Sequence, residues 1–264
     1  MFKLLIILAI LLRLILMPIS AHSDLFFINM FPNLFITQRV LDIPAHIQDN
    51  FQSRNYTYYS PLTYFSFAFF QTIYTTLASS FSDWMTQLYN LELYEFQGQA
   101  GDFIKSTTNP HKARDLFLAK TPYLIFDIAS LFILSKFIKE KILKKSVILL
   151  WLFNPVNLYA TYLMGQFDII PTFFILIGFY YLRTNSAIGL LLLGIAASFK
   201  NYALLFVIST AIIYGDTWLK RLKLLSIGLL PYLIFLIPIL VNNLEQALYL
   251  ITPKAYLHYR KPLE

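Results

Sequence analysis

The stretch LFLAKTPYLIFDIASLFILSKF, residues 116–137, is long and apolar enough to indicate the fold on its own. A bilayer core about 30 Å thick is crossed by roughly 20 helical residues, and inside it every backbone polar group must be bonded within the protein. Further runs of the same character are Phe2 to Ile19, Val147 to Met164, Ile169 to Leu182 and Leu224 to Val241. The sequence therefore predicts an all-α protein with several membrane-spanning helices.

The composition favours the same class. Of the 264 residues, 58% are hydrophobic, 17% aromatic and only 13% charged, which leaves too little polar surface to enclose a soluble globule. The formal net charge is +7, but the cations cluster beside apolar runs, which is typical of cytoplasmic loops and not of nucleic-acid binding. The chain has no cysteine, and its four histidines show no ligand spacing. No metal or other cofactor is predicted, although the carboxylates of the chain are compatible with a bound divalent ion.

The distribution of lysine and arginine predicts how the spans are threaded. Three basic loops should be cytoplasmic by the positive-inside rule. They contain Lys136, Lys139, Lys141, Lys144 and Lys145, then Arg183, then Lys220, Arg221 and Lys223. With the N-terminus inside, this arrangement requires the region from Ile188 to Tyr214 to divide at Lys200 into two short helices. It also requires the aromatic stretch Tyr56 to Phe81 to lie at the membrane interface instead of crossing it.

The predicted architecture is a polytopic transmembrane bundle of about seven spans in one domain, residues 1–264, in the cell membrane or the endoplasmic reticulum membrane. Residues 18–115 form a long extracytoplasmic first loop with juxtamembrane helices, and residues 242–264 form an extracytoplasmic tail. An alternative for the N-terminal run is a secretory signal, because Lys3 precedes it and Ser20-Ala21 resembles a cleavage site.

Polar residues predicted at the outer face indicate a site. Asp24 follows the first span, Gln166 and Asp168 end the segment NPVNLYATYLMGQFD (154–168), and Lys200 lies within AASFKNYALL (196–205). A carboxylate, an amide and a cation that converge at one membrane face indicate chemistry on a lipid-linked substrate.

The order of these motifs resembles the GT-C superfamily of membrane glycosyltransferases. An acidic residue follows the first span, and then come YYSPLTYF (58–65), RDLFLAKTPYLIFD (114–127), NP before GQFD, and a lysine between short spans. The nearest pattern is that of dolichyl-phosphate-glucose glucosyltransferases and the mannosyltransferases of glycolipid-anchor synthesis, over Arg13 to Val241. The resemblance implies transfer of a hexose, mannose or glucose, from a polyprenyl-phosphate-sugar donor to a hydroxyl of a glycolipid or glycan acceptor, with inversion.

The resemblance gives Asp24 the role of catalytic general base. A hydroxyl attacks poorly unaided, and a carboxylate within hydrogen-bond reach can accept its proton as the glycosidic bond breaks. The alternative is that His22, Ser23 and Asp24 cap a juxtamembrane helix. Lys200 would neutralise the donor phosphate, and its alternative is a lysine that extends from a helix end to the membrane surface.

Further residues receive roles from the same resemblance. Arg114 and Lys120 are additional candidates for binding the donor phosphate. Asp127 lies two helical turns beyond Lys120, on the same face, and either orients Lys120 or pairs with another helix.

Sugar or acceptor recognition is predicted for Gln166, Asp168 and Tyr59. Asp168 can also cap the helix that follows it, and Tyr59 can belong to an interfacial aromatic belt.

Two other classes of function are compatible with these residues. In a polyprenyl-lipid transporter or flippase, Asp127, Asp168 and Lys200 would line a pathway, although the chain shows no paired halves with broken helices. A non-catalytic membrane subunit would instead shape the groove of a partner enzyme.

Overall fold

A computed structural model of the chain describes residues 2–40, 46, 59–90 and 107–242, without the side chains of residues 238, 239 and 242. This part of the chain is helical and contains no β-strand, so the predicted all-α class is confirmed. Its α-helices are α1 (Phe2–Leu16), α2 (Ser23–Gln38), α3 (Pro61–Leu77), α4 (Ser80–Asn90), α5 (Lys112–Phe137), α6 (Lys141–Leu152), α7 (Ile169–Leu182), α8 (Ser186–Phe199), α9 (Leu204–Tyr214) and α10 (Trp218–Asn242). Between α6 and α7 lie the turn Pro155–Asn157 and a π-helix, Leu158–Met164.

The predicted division of the long apolar region is confirmed. The apolar region from Ile188 to Tyr214 divides at Lys200, whose extended backbone (φ −145°, ψ 127°) separates α8 from the 3₁₀ turn before α9. Helix α3 begins at Pro61, where a missing N–H costs no helical hydrogen bond. Residues 56–58 of the aromatic stretch, residues 91–106 of the first loop and residues 243–264 of the tail lie outside the described residues.

The predicted span Val147 to Met164 is not one regular helix. Helix α6 ends at Leu152, where Pro155 cannot continue the hydrogen-bond ladder and Asn154 accepts the N–H groups of Val156 and Asn157. The chain then continues as a π-helix to Met164. The first predicted span is also shorter than expected, because α1 ends at Leu16 and not at Ile19.

Helices α7, α8 and α10 pack closely through small residues. A Cβ atom added to Gly194 in α8 would lie 2.0 Å from the carbonyl oxygen of Gly228 in α10, so the two backbones touch there. Such contacts are common between membrane helices, where small residues allow the close approach that dispersion forces need.

Helices α2, α3 and α4 form a second packed group, rich in aromatic residues. Edge-to-face contacts join Phe26 to Trp84 over 5.4 Å between ring centroids and Phe31 to Tyr64 over 6.0 Å. Phe67 of α3 contacts Tyr123 of α5, which fixes this group against the bundle.

A buried ion pair ties the first helix to the centre of the bundle. Arg13 in α1 and Asp127 in α5 are both fully buried, and Arg13 Nε donates to Asp127 Oδ2 over 2.7 Å. Arg13 Nη1 also donates to the Leu152 carbonyl oxygen over 2.8 Å. Burial of two charges is unfavourable unless close geometry and further hydrogen bonds offset the lost hydration.

Asp127 supplies those further bonds on its side of the pair. Its carboxylate accepts hydrogen bonds from Trp151 Nε1 (2.7 Å), Asn157 Nδ2 (3.1 Å) and Tyr162 Oη (2.7 Å). Of the two interpretations of Asp127, these contacts are those of a residue that pairs with other helices.

Much of the described surface is apolar. Exposed side chains include Leu219 (80% exposed), Ile142 (74%) and Leu150 (72%), in α10 and α6. Two segments, Lys112–Phe137 and Lys141–Met164, are long and apolar enough to cross a membrane, and Ile169–Leu182, Ser186–Phe199 and Asn201–Tyr214 are shorter apolar helices. A buried core helix of a soluble protein can meet the same criteria, so this finding supports membrane association weakly.

Removal of one partner of the buried ion pair should destabilise the protein strongly. In Asp127→Asn, Arg13 stays buried without a counter-charge, and we expect the free energy of unfolding to fall by about 3–5 kcal/mol. The measurement is thermal or denaturant unfolding of the purified protein in detergent.

Two further variants control this prediction. Asp216→Asn breaks a 2.6 Å pair with Lys220 whose side chains are 79% and 46% exposed, and it should change stability little. The double variant Arg13→Met with Asp127→Asn removes the unpaired charge and should regain part of the loss. A double variant less stable than Asp127→Asn would contradict the role of that charge.

Candidate functional site

The segment that ends the π-helix brings the predicted polar residues together. Gly165 adopts a left-handed conformation (φ 78°), and its N–H and that of Gln166 both donate to the Ala160 carbonyl oxygen, which closes the helix. The chain reverses here so that Gln166, Phe167 and Asp168 lie between α2 and the break at Lys200. Glycine adopts this left-handed backbone conformation without strain because it has no Cβ atom.

Asp24 contacts this segment directly. It lies in the first turn of α2, and Gln166 Nε2 donates to Asp24 Oδ2 over 2.5 Å. The His22 ring lies beside the same oxygen, with Nδ1 3.5 Å from Asp24 Oδ2, and accepts the Asp24 backbone N–H. His22 therefore caps α2, while the Asp24 carboxylate is directed at Gln166 and stays partly open to solvent, 27% exposed.

Lys200 contacts the other end of the same segment. Its Nζ atom lies 2.7 Å from Asp168 Oδ1 and 4.6 Å from the centre of the Phe167 ring. The side chains of Lys200 and Asp168 are 24% and 47% exposed, so solvent reaches this pair. Asp168 occupies the N-cap position of α7 but its side chain makes no capping hydrogen bond, which corrects the predicted capping role.

The Asp24 carboxylate and the Lys200 ammonium group thus contact two residues of the same segment, which are two positions apart in the sequence. Gln166 holds Asp24 and Asp168 holds Lys200, and Phe167 between them is fully buried. These four polar residues therefore lie together, as two contacting pairs on one short segment, and their predicted place at the outer membrane face stays a prediction.

Aromatic side chains support the segment. Tyr59 contacts the Phe167 ring edge-to-face, with 5.1 Å between centroids, so it lies at the site through Phe167. Tyr123 of α5 is fully buried and lies within electrostatic reach of both Asp24 and Asp168, and its hydroxyl has no hydrogen-bond partner among the described residues. The predicted stacking of Tyr59 on a sugar ring stays a prediction.

Lys120 does not present its ammonium group to a cleft. The residue is fully buried, and Nζ donates to the backbone carbonyl oxygens of Ser20 and Tyr162, with a longer contact of 3.4 Å to that of Leu163. These carbonyl oxygens accept the hydrogen bonds that the Lys120 ammonium group would otherwise donate to a phosphate. The interpretation of Lys120 as a phosphate ligand does not fit this geometry, and the residue instead ties α1 to the π-helix.

Arg114 makes its hydrogen bonds to residues outside the site. Its Nε donates over 3.0 Å to Asp115 Oδ1, and its Nη2 donates to Ser80 Oγ. Asp115 is fully buried and also accepts from Ser80 Oγ (2.9 Å) and Asn109 Nδ2 (2.8 Å). Arg114 therefore holds the start of α5 against α4, and its role as a phosphate ligand stays a prediction without a supporting contact.

Sequence reasoning gave Arg13 no role. An arginine within one apolar run and an aspartate within another are a signal for a buried pair, because neither charge is stable alone in an apolar environment. His22 was expected only as part of a possible helix cap, and the structure adds that its ring also lies beside the Asp24 carboxylate. Within the described residues, no three His, Asp or Glu side chains meet as metal ligands, and metal dependence stays untested.

No protein-family model, curated protein or solved structure matches this chain. A functional proposal therefore depends on the geometry of the site and on the order of its motifs.

Substitution of Gly165 should disturb both the backbone and its surroundings. In Gly165→Ala, a side chain must adopt φ 78°, and its Cβ would lie 3.2 Å from Leu25 Cβ and Cδ1 in α2. We expect a loss of about 1–2 kcal/mol in the free energy of unfolding, measured by denaturant unfolding. The double variant Gly165→Ala with Leu25→Ala removes the contacts with the Leu25 Cδ atoms but keeps the contact with Cβ and the backbone strain.

Asparagine tolerates the left-handed region better than alanine and offers a further comparison. If backbone strain dominates, Gly165→Asn should be more stable than Gly165→Ala despite its larger side chain. The opposite order would assign the effect to packing against Leu25.

Proposed function

We propose that this chain is a membrane hexosyltransferase that uses a polyprenyl-phosphate-sugar donor, with Asp24 as the general base. The observation that carries the proposal is the pair of contacts on residues 166–168: a partly exposed carboxylate held by Gln166, and an ammonium group held by Asp168. A base for the acceptor hydroxyl and a cation for the donor phosphate are the groups that such a transfer requires.

The proposed reaction is a displacement at the anomeric carbon of the donor sugar. The acceptor hydroxyl oxygen bonds to this carbon while the bond from the carbon to the phosphate oxygen breaks, and the bonding electrons stay on the phosphate. Asp24 accepts the hydroxyl proton and later releases it to solvent. Lys200 stabilises the charge on the departing phosphate, and its flexible stem allows the ammonium group to contact both Asp168 and a phosphate oxygen.

Gln166 acts on Asp24 in this proposal. A carboxylate that receives one hydrogen bond at Oδ2 is fixed in orientation and still has lone pairs with which to accept a proton. His22 and Tyr123 approach the same region from α2 and α5. The acceptor sugar or lipid would enter from the exposed side of Asp24.

The proposed topology has seven spans, formed by α1, α5, α6 with the π-helix, α7, α8, α9 and α10. Contacts between basic residues and aromatic rings support it at the end opposite the site. The Arg183 guanidinium lies 4.4 Å from the Phe137 ring, and Lys145 Nζ lies 5.7 Å from the Phe2 ring. Two of the three basic loops predicted to be cytoplasmic therefore lie close to each other, and the first also approaches the N-terminal helix, which supports the proposal that they share one membrane face.

Asp24→Asn should abolish transfer while leaving donor binding intact. The amide keeps the shape of the side chain but cannot accept a proton, and loss of a general base lowers rates by about 10²–10⁴-fold. The measurement is release of polyprenyl phosphate from labelled polyprenyl-phosphate mannose or glucose in the presence of acceptor. Asp83→Asn, in the first turn of α4, is a matched control that should transfer normally.

Normal transfer by Asp24→Asn would remove Asp24 from the mechanism. Movement of the lipid across a bilayer without transfer would instead favour the transporter alternative. Activity that appears only with a partner enzyme, and survives in Asp24→Asn, would favour the non-catalytic subunit.

Sidedness can be measured independently, because the chain has no cysteine of its own. Single cysteines at Ser23 and Asn201 should react with an impermeant maleimide from one side of sealed vesicles, and cysteines at Glu140 and Thr184 from the other. Reaction of Ser23→Cys and Asn201→Cys from opposite sides would contradict the proposed topology.

A further inference from the structure

The charge balance of the site limits which phosphates it can hold. Of the three cations predicted to contact phosphate, Lys200 is the one that lies among the site residues, and it is already paired with Asp168 over 2.7 Å. Lys120 is committed to backbone carbonyls, and Arg114 contacts Ser80 and Asp115. A phosphate that approaches the Lys200 ammonium group therefore also approaches the Asp168 carboxylate.

We propose that Asp168 makes this site selective for the charge of the bound phosphate, so that it accepts a singly charged phosphodiester and disfavours a doubly charged phosphomonoester. The identification of the ligand as a lipid phosphate depends on the proposed function. A phosphodiester carries one negative charge, whereas a phosphomonoester carries about −1.5 to −2 at pH 7 because its second pKa is about 6. Attraction to Lys200 and repulsion from Asp168 both grow with that charge and nearly cancel. Asp24, joined to the same segment through Gln166, leaves the three charged groups with one net negative charge, which opposes the second charge of a monoester.

The proposed transfer makes this selectivity useful. The donor is a phosphodiester, and the product that stays behind after the carbon–oxygen bond breaks is a phosphomonoester of the same lipid. The electron pair left on the phosphate oxygen adds negative charge beside Asp168. Asp168 thereby favours departure of the product over its retention, so it is a specificity-determining residue and not a ligand of the sugar alone.

Solvent access distinguishes this ion pair from a purely structural one. The side chains of Lys200 and Asp168 are 24% and 47% exposed, whereas those of Arg13 and Asp127 are 0% and 1% exposed. A partly hydrated pair can open toward a ligand without leaving a charge in an apolar environment. Lys200 also keeps its contact with the Phe167 ring, which holds the ammonium group near the site when Asp168 moves.

The test compares two lipids that differ by one methyl ester on the phosphate and therefore in its charge. Farnesyl phosphate and methyl farnesyl phosphate are bound to the purified full chain in lipid nanodiscs at pH 5.5 and 7.5. Only the monoester gains charge over this range. We expect the monoester affinity of the wild type, relative to the diester, to fall about fivefold, the size of the repulsion between unit charges about 4 Å apart in a water-like dielectric.

Variants assign the effect to Asp168. Asp168→Asn should lose the relative fall, and Asp168→Glu, which restores the charge, should regain it. Lys200→Ala should weaken binding of both lipids. Asp216→Asn breaks the exposed pair with Lys220 outside the site and should behave as the wild type.

The comparison with Asp168→Asn controls for other groups near the site. The further titratable groups that face the Asp24 and Asp168 carboxylates are His22 before α2, Tyr123 in α5 and Tyr202 after Lys200. A change in their charge between pH 5.5 and 7.5 acts more strongly on the monoester than on the diester, but it is common to the wild type and Asp168→Asn, so the difference between these two proteins isolates the effect of Asp168.

Three results would overturn the inference: the same affinity ratio in Asp168→Asn and the wild type, an equal loss for both lipids in Asp168→Asn, or a wild type that binds neither lipid. The proposed function fails separately. Absence of hexosyl transfer, with the charge selectivity intact, would contradict the transferase and leave a selective phospholipid site.

Discussion

The hydrogen-bonded ion pair between Arg13 and Asp127 is the interaction on which the rest of the structure depends. Asp127 lies in the middle of α5, and its carboxylate receives hydrogen bonds from α1, from α6 and from the segment that follows α6. Arg13 in turn donates to the Leu152 carbonyl oxygen at the end of α6, a group that no helical N–H beyond the break can satisfy. The break at Pro155 and the buried arginine therefore require each other, and neither would be stable in an apolar environment alone.

This constraint extends to the candidate site through Lys120. Lys120 lies two helical turns before Asp127 on the same face of α5. It donates to the backbone carbonyls of Ser20, between α1 and α2, and of Tyr162, near the end of the π-helix. Tyr162 is held a second time, through its hydroxyl, by Asp127. Helix α5 thus fixes the two junctions that carry Asp24 and Gln166, and a residue that resembled a phosphate ligand in sequence has a positioning role in the structure.

The sequence predicts some of this organisation and misses the rest for physical reasons. The all-helical class follows from the length of the apolar runs, and the division at Lys200 follows from the order of the basic loops along the chain, both of which are visible in the sequence. Neither the break at Pro155 nor the π-helix was predicted, because the apolar run from Val147 to Met164 is long enough to be interpreted as one regular span. The extra residue per turn of the π-helix is stabilised by Asp127, which lies about thirty residues away in sequence. The role of Lys120 likewise depends on carbonyl oxygens from two other segments. From the sequence alone, a lysine at that position is equally compatible with binding a phosphate.

Both ion pairs join an aspartate to a cation over the same distance, 2.7 Å, and yet they differ in what they can do. In the Arg13–Asp127 pair, each group is surrounded by further partners and is closed to water, so separation would leave an unpaired charge in the apolar interior. In the Lys200–Asp168 pair, water already reaches both groups, and the free energy that holds them together is small. The buried Arg13–Asp127 pair stabilises the packing of the helices, while the solvent-accessible Lys200–Asp168 pair can release its cation to an incoming anion. The difference is set by burial, and burial is set by the helix break at Lys200, which brings that lysine to the edge of the bundle instead of its centre.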